Sequence, residues 1–376
     1  MKGICQLACL IATPCLAAHV GAQDNAERRD SAGVALISAP VTDRSLPWRI
    51  TRTGTLGGAS AEELLPHLVP GAGIAALSDG TIVATDRERA RVLYFRPDGA
   101  LERTSGGRGG GPGEYQILGG VATNRDTVVV YDVAAPHFTL LSGDGRYVGT
   151  RVIPSRPWDR FAFAGGRFVA VTSQSPANQI ELRLVAVAQD TVELARQTQE
   201  LRPVPACGTT LPMTPYLLPP LAWAVRDRTV AASSSASYRI DVYGDARLAV
   251  RIARAIRPRR VTDDDVRREA GDGLTMRGGT GCRVAPDVLI RSRGAADVVP
   301  AISDLTIDPA GRLWVHRWAP RGTGALTDVF NADGTYLGTL PRGTPFPALF
   351  TGPDRFVAVE VDADGVQTLG LYHIAR

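Results

Sequence analysis

The chain has 376 residues, with 42 Lys plus Arg against 38 Asp plus Glu and a net charge of +4. So even a balance argues against a nucleic-acid partner. Beyond the N-terminus no segment approaches the ~20 apolar residues that a membrane helix needs, so no transmembrane segment is expected.

The first 22 residues read as a cleaved secretory signal peptide. Lys2, the sole lysine, supplies a positive start, residues 4–18 form a mostly apolar core, and Val20-Gly-Ala22 offers a small-residue cleavage site. Pro14 directly before Cys15 speaks against lipidation. The mature chain is therefore expected to be periplasmic or secreted. Residues 23–46 are expected to form an N-terminal extension, and residues 47–376 a single domain.

Beyond that extension, short runs rich in Val, Ile, Phe, Tyr and Ala recur between Gly, Asp and Pro turns, and long helical patterns are missing. Six units follow in chain order. The first spans 71–105 and holds Leu77-Ser-Asp-Gly-Thr-Ile-Val-Ala-Thr-Asp86 and a turn at Asp98-Gly99; the second spans 119–152, with a turn at Asp144-Gly145. The third covers about 161–197 and the fourth 221–253. The fifth, 302–340, repeats the first in Ile307-Asp-Pro-Ala-Gly-Arg-Leu-Trp-Val315. Such self-similarity marks a repeat architecture.

The sixth unit starts near Leu349 and stops at Arg376 after three strands. An open sheet edge at the chain end is a liability. The segment Trp48-Arg-Ile-Thr-Arg-Thr-Gly-Thr-Leu-Gly57 resembles the last strand of the first unit, Leu101-Glu-Arg-Thr-Ser-Gly-Gly107, and supplies the missing fourth strand. The expected fold is all-β: a six-bladed β-propeller of four-stranded blades, closed by an N-terminal strand completing the last blade.

Gly109-Gly-Gly-Pro-Gly-Glu-Tyr115, followed by a short strand, a second ending in Asp132 and a third closing on Asp144-Gly145, resembles the NHL-type repeat and the broader class of bacterial six-bladed, TolB-like propellers. The likeness in rhythm runs over about residues 47–376, with units three and four the poorest copies. It implies the propeller fold and leaves activity open, because the class holds ligand binders, protein-interaction modules and enzymes.

With the innermost strand first in each blade, the loops joining blades share one face with the loops between second and third strands. The Asp-Gly turns lie on the other face. The long segments 59–70, 106–118, 199–220 and 257–300 all fall on the first face, and long loops on one rim of a rigid ring carry function or cap a pore. Cys207 and Cys282 are the only cysteines after residue 22, so a disulfide between the two longest loops is expected in an oxidising compartment. Within 257–300, Thr262 is placed to cap a short helix with Asp263, Asp264 and Asp265 in its first turn and Arg267 and Arg268 after them.

Asp86, Asp132 and Glu360 end equivalent second strands, and His316-Arg317-Trp318 follows that of unit five. Together with Glu114 and Tyr115 of the Gly-rich loop they form the candidate binding set. Converging carboxylates and an imidazole could hold a divalent cation or a charged small molecule. The same aspartates could instead accept backbone N–H bonds in the turns that follow. No sequence motif names a cofactor, no pair among His67, His137, His316 and His373 has metal-binding spacing, and no Gly-x-Ser-x-Gly elbow occurs.

The reading is therefore an exported, noncatalytic monomer that binds a protein, peptide or small-molecule ligand through its loop-bearing face. The alternative is a metal-assisted hydrolase or lyase, lactonase-like or amidating-lyase-like, at the ring mouth.

Overall fold

The middle strands of the first unit are mostly apolar and buried, whereas its last strand is wet. In the first unit Ile82–Asp86 and Arg91–Phe95 are almost wholly buried, while no residue of Leu101–Gly106 is buried. That gradient is what a radial sheet requires: inner strands packed between neighbouring blades, the outermost wet on one side. A computed structural model shows the arrangement, describing residues 27–57, 73–135, 137–158, 160–276, 281–361 and 367–376. The expected signal peptide and the whole of the 59–70 loop, His67 included, lie outside the described residues.

Six four-stranded antiparallel sheets form the ring. Blade one is Ile74–Ala76, Ile82–Asp86, Arg91–Phe95 and Leu101–Gly106; blade two runs from Leu118–Asn124 to Tyr147–Val152; blade three from Phe161–Ala164 to Thr191–Glu200. Blade four comprises Ala222–Arg226, Thr229–Ser233, Arg239–Gly244 and Arg247–Arg254, and blade five runs from Ile302–Ile307 to Tyr336–Leu340. Blade six takes Leu349–Phe350, Arg355–Val361 and Gln367–Ala375 from the C-terminus, and its outer strand Arg49–Thr55 from the N-terminus, in register Arg49↔Ala375 and Ile50↔Ile374. The six-bladed propeller with N-terminal closure is the expected fold.

Closure is reinforced at a turn. Gly99 of the Asp98-Gly99 turn has φ +90, and a Cβ there would meet Leu371 Cδ1 at 2.6 Å and Thr55 O at 3.0 Å. Only glycine both adopts that backbone and lets blade one sit this close to the closing strand. Between blades the packing is aromatic and aliphatic; Trp314, Tyr94, Phe95, Phe330 and Phe356 are fully buried, and each large side chain so buried contributes roughly 2–3 kcal/mol.

Part of the N-terminal extension packs on the ring. Val34–Ala39 pairs parallel to the outer strand of blade four, Ala35 opposite Val250, and Glu27–Ser31 folds back on it, making that sheet six-stranded. The reason is visible in Arg247–Arg254, whose Val250 and Ile252 present apolar surface that Ile37 and Ala39 cover. Behind the hairpin, Arg254 is buried and donates to Pro40 O at 2.7 Å, to Asp43 Oδ1 at 3.0 Å and to Asp328 Oδ2 at 2.8 Å. Asp328 also accepts from Tyr238 at 2.7 Å and Thr339 at 2.5 Å. Burial opposes the charge on Arg254, but Asp328 outweighs it and holds the guanidinium protonated.

The 257–300 insertion and the hairpin Arg202–Ala206/Thr209–Met213 build a satellite with its own core of Val204, Ala206, Tyr216, Val266, Ala270, Val284 and Leu289. The Cys207–Cys282 disulfide joins the two. The first helix, Asp263–Ala270, has a capping box: Thr262 Oγ1 accepts from Asp265 N at 3.3 Å, and Asp265 Oδ2 accepts from Thr262 N at 2.9 Å. Asp265 also pairs with Arg259, whose hydrogen bond first among several holds its carboxyl well below the usual carboxylate range. A folded carboxyl with a lowered pKa stabilises fully above the unfolded value of about 3.9 and loses this contribution as pH falls through the folded value. Thr262→Ala is expected to cost about 1 kcal/mol, read as faster amide exchange over 263–270, and acidification below pH ~4 should loosen this helix.

Candidate binding site on the axis of the ring

Because each inner strand pairs on one side only, its free edge faces the axis. The inner strands of all six blades line one cavity of about 1340 Å³, which runs from the strand starts, at Ile74, Phe161, Trp223 and Ala348, to the first turns, at Ser78, Asp126, Asp227 and Gly352. The strand starts lie on the loop-bearing face. None of the lining residues belongs to the satellite, which leans instead on blade five through Arg259 over the Trp318 ring at 5.6 Å and Arg321–Glu269 at 3.6 Å.

At the loop-side mouth one side chain crosses between blades. Arg160, just before the inner strand of blade three, donates to Trp223 O of blade four and lies over the Trp223 ring at 4.7 Å. Its Nη2 is 3.6 Å from Asp304 Oδ1 of blade five. Asp304 is held by Leu305 N at 2.8 Å and stands opposite His316 in the blade-five register. The His316 ring packs on Phe346 at 4.5 Å, with Nδ1 3.3 Å from Thr327 Oγ1. Burial lowers the His316 pKa more than the nearby Asp304 raises it, so the imidazole is neutral at neutral pH. The mouth therefore combines a fixed guanidinium, a partly exposed carboxylate, an indole and a neutral imidazole: a set suited to holding a polar group.

None of the eight candidate residues from the sequence lines this cavity. Asp86 accepts from Arg89 N at 3.0 Å and from Arg91 at 2.9 Å. Asp132 accepts from Gln116 N at 2.7 Å, Ile117 N at 3.0 Å and Ala134 N at 2.9 Å, so both aspartates tie down the loops around them. Glu360 is engaged by Arg52 at 2.8 Å, by Thr368 and by Tyr372, and the Arg52 hydrogen bond leads in lowering its pKa. Arg317 binds Asp43 through both carboxylate oxygens at 2.9 Å, which joins it to the buried Arg254 network. Glu114 accepts from Gly111 N at 2.8 Å, Tyr115 is buried in the core between blades one and two, and Trp318 stacks with Arg259. Of the set, His316 alone reaches the mouth, through Asp304.

Among the described residues no group of three His, Cys, Asp or Glu side chains comes together as a metal-ligand set, and Asp86 and Asp132 accept the backbone N–H bonds that were the other reading of these positions. The second strands are one position out from the axis, and their terminal acids are engaged within their own blades: Asp86 and Asp132 by backbone N–H groups of nearby loops, Glu360 by the Arg52, Thr368 and Tyr372 side chains. Sequence reasoning missed Arg160, Trp223, Asp304 and Phe346. The available signal was position: all four sit at or just before the start of an inner strand, the one place where blade ends meet the axis.

No family model and no curated protein matches the chain. Among solved structures it is similar to a candidate exported protein from Bacteroides fragilis NCTC 9343, at 12% identity and TM-score 0.51, covering 90% of this chain and 98% of that one. It is also similar to a DUF4221-family member from Bacteroides vulgatus ATCC 8482, at 9% identity and TM-score 0.45, covering 89% of this chain and 98% of that one. A third is the PQQ-bound aldose sugar dehydrogenase of Streptomyces coelicolor, at 15% identity and TM-score 0.40, covering 89% of this chain and 100% of that one. Likeness at these identities is one of fold. Among the described residues no helix is long and apolar enough to cross a membrane.

Proposed function

We propose that the chain is an exported, noncatalytic propeller that binds a small molecule, peptide or partner protein through its loop-bearing face. The observation that carries this reading is the asymmetry of the ring: the disulfide-linked satellite and the Arg160 mouth of the axial cavity share one face, while the other carries short turns. A rigid ring with its elaborated loops on one rim is the usual arrangement of a binding scaffold. Export is supported by the signal-like residues 1–22 and by the disulfide, which belongs to oxidising compartments.

Native mass spectrometry of the mature protein, taken from the envelope of its own cell, tests the reading. A retained small molecule or a stoichiometric partner, lost when Asp304 and Phe346 are replaced by alanine, is the expected result. Substrate turnover with that face left empty would overturn it.

A further inference from the structure

We propose that the loop-side ends of blades two and three form a docking surface for an acidic protein segment, one that sets aliphatic or aromatic side chains beside carboxylates. The inference rests on the loop-bearing face being the binding face, and it names the kind of partner. Three observations lead to it.

First, exposed apolar side chains gather there. Of the nine large hydrophobic residues exposed among the described residues, four belong to this place: Ile117, Val133, Val152 and Trp158, the last two 76% and 57% exposed. Val133 N donates to Ile117 O at 2.9 Å, and the blade-two pairings Leu118↔Asp132, Phe138↔Tyr131 and His137↔Val152 carry the row outward across the end of the blade. With strands about 4.8 Å apart, the row spans roughly 15 Å. Trp158 joins it from blade three: its N–H donates to Val171 O at 2.7 Å, and Phe161 stacks on Phe138 of blade two at 4.9 Å. Such a cluster carries information that a lone exposed valine does not.

Second, the charge in the patch is of one sign. Arg151 and Arg156 are exposed on either side of Val152 and make no ion pair among the described residues. On the neighbouring blades an outer-strand arginine is paired at home, Arg103 with Glu102 in blade one and Arg196 with Glu193 in blade three, each at 2.8 Å. Asp132 and Glu114, on the same rim, are already engaged by backbone N–H groups. A partner that brings its own carboxylates supplies the complementary charge.

Third, the patch is a surface and not a pocket. None of its four apolar residues or two arginines lines the axial cavity, so it fits a macromolecule better than a small one. Exposed Trp and Arg are the side chains that anchor protein interfaces, and backbone already fixed on paired strand ends lowers the ordering cost of docking.

Selection of a random dodecapeptide phage library on the immobilised mature protein, followed by titration of the selected peptides, tests the assignment. Peptides enriched in Asp or Glu next to aromatic or aliphatic residues are expected, and Trp158→Ala should bind them about 10-fold or more weakly than the parent. Charge reversal, R151E combined with R156E, should weaken them by about 10-fold or more and flatten the salt dependence; lysine in place of the peptide acids should restore binding to that variant alone. All three positions are exposed, so the variants are expected to fold and melt as the parent does. Selected peptides without acidic enrichment, or binding indifferent to W158A and to the charge reversal, would overturn the surface. Sedimentation with phosphatidylglycerol vesicles that W158A abolishes, with no peptide selected, would also overturn it and assign the patch to a membrane. In each of these cases a ligand retained in native mass spectrometry and lost from the Asp304/Phe346 variant would show that the binding face survives and only this docking surface fails.

Discussion

Replacing Cys207 and Cys282 together by serine is expected to lower the unfolding free energy by about 4 kcal/mol. The bridge spans 75 residues of sequence, and closing a loop of that size removes roughly this much chain entropy from the unfolded state. The loop so closed contains the whole of blade four, Ala222–Arg226 through Arg247–Arg254. The disulfide therefore staples the chain entering that blade to the chain leaving it, and its loss should register in global unfolding as well as in the satellite. The satellite should suffer most, because its core is seven residues and two short helices, too little to be stable alone. Chemical denaturation of the double variant against the parent is the measurement. Near-identical midpoints would mean that the satellite core and its contacts to Trp318 and Arg321 already fix the geometry.

The second large effect is expected at Asp328. This carboxylate is fully buried and collects Tyr238, Arg254 and Thr339, with Arg317 at 3.9 Å. Asp328→Asn keeps the shape, removes the charge and turns an amide toward donors. Arg254, itself buried, then depends on Asp43 and three backbone carbonyls of residues 40–42. Breaking a buried pair by neutralising one partner costs about 3–5 kcal/mol, which for a chain of this length is a melting-point loss of ~5 °C. Tyr238, whose hydroxyl is kept protonated first by burial and then by Asp328, loses its acceptor in the same step. Because Asp43 and Arg44 are anchored through this cluster, proteolysis between residues 40 and 48 should quicken in the variant. A cost below about 1 kcal/mol would show that the exposed Asp43 alone suffices to balance Arg254.

Much of the ring was readable because blade physics leaves a mark on every strand. The Asp-Gly turns, the apolar middle strands and the missing fourth strand after Arg376 each follow from backbone geometry or edge pairing, and each appears in the structure where the residues put it. The Thr262 cap was legible for the same reason: a hydroxyl followed by acids is a local signal. The hairpin on blade four was not, since it depends on Val250 and Ile252 needing a cover, a demand that becomes visible only once that strand is known to be outermost. Site residues were harder still. Asp86, Asp132 and Glu360 looked alike in sequence, but each found donors in a nearby loop or on the adjoining strand. Arg160 and Asp304 are 144 positions apart in sequence numbering and meet only because blades three and five close around one axis.

Hydrogen exchange of the mature protein, with and without the soluble fraction of its native cell envelope, tests the loop-bearing face most directly. The account predicts slowed exchange at residues 295–304, 313–326 and 341–349, with the turns at 77–81, 124–127 and 226–229 unaffected. Protection confined to those turns, or no protection alongside substrate turnover, would contradict it.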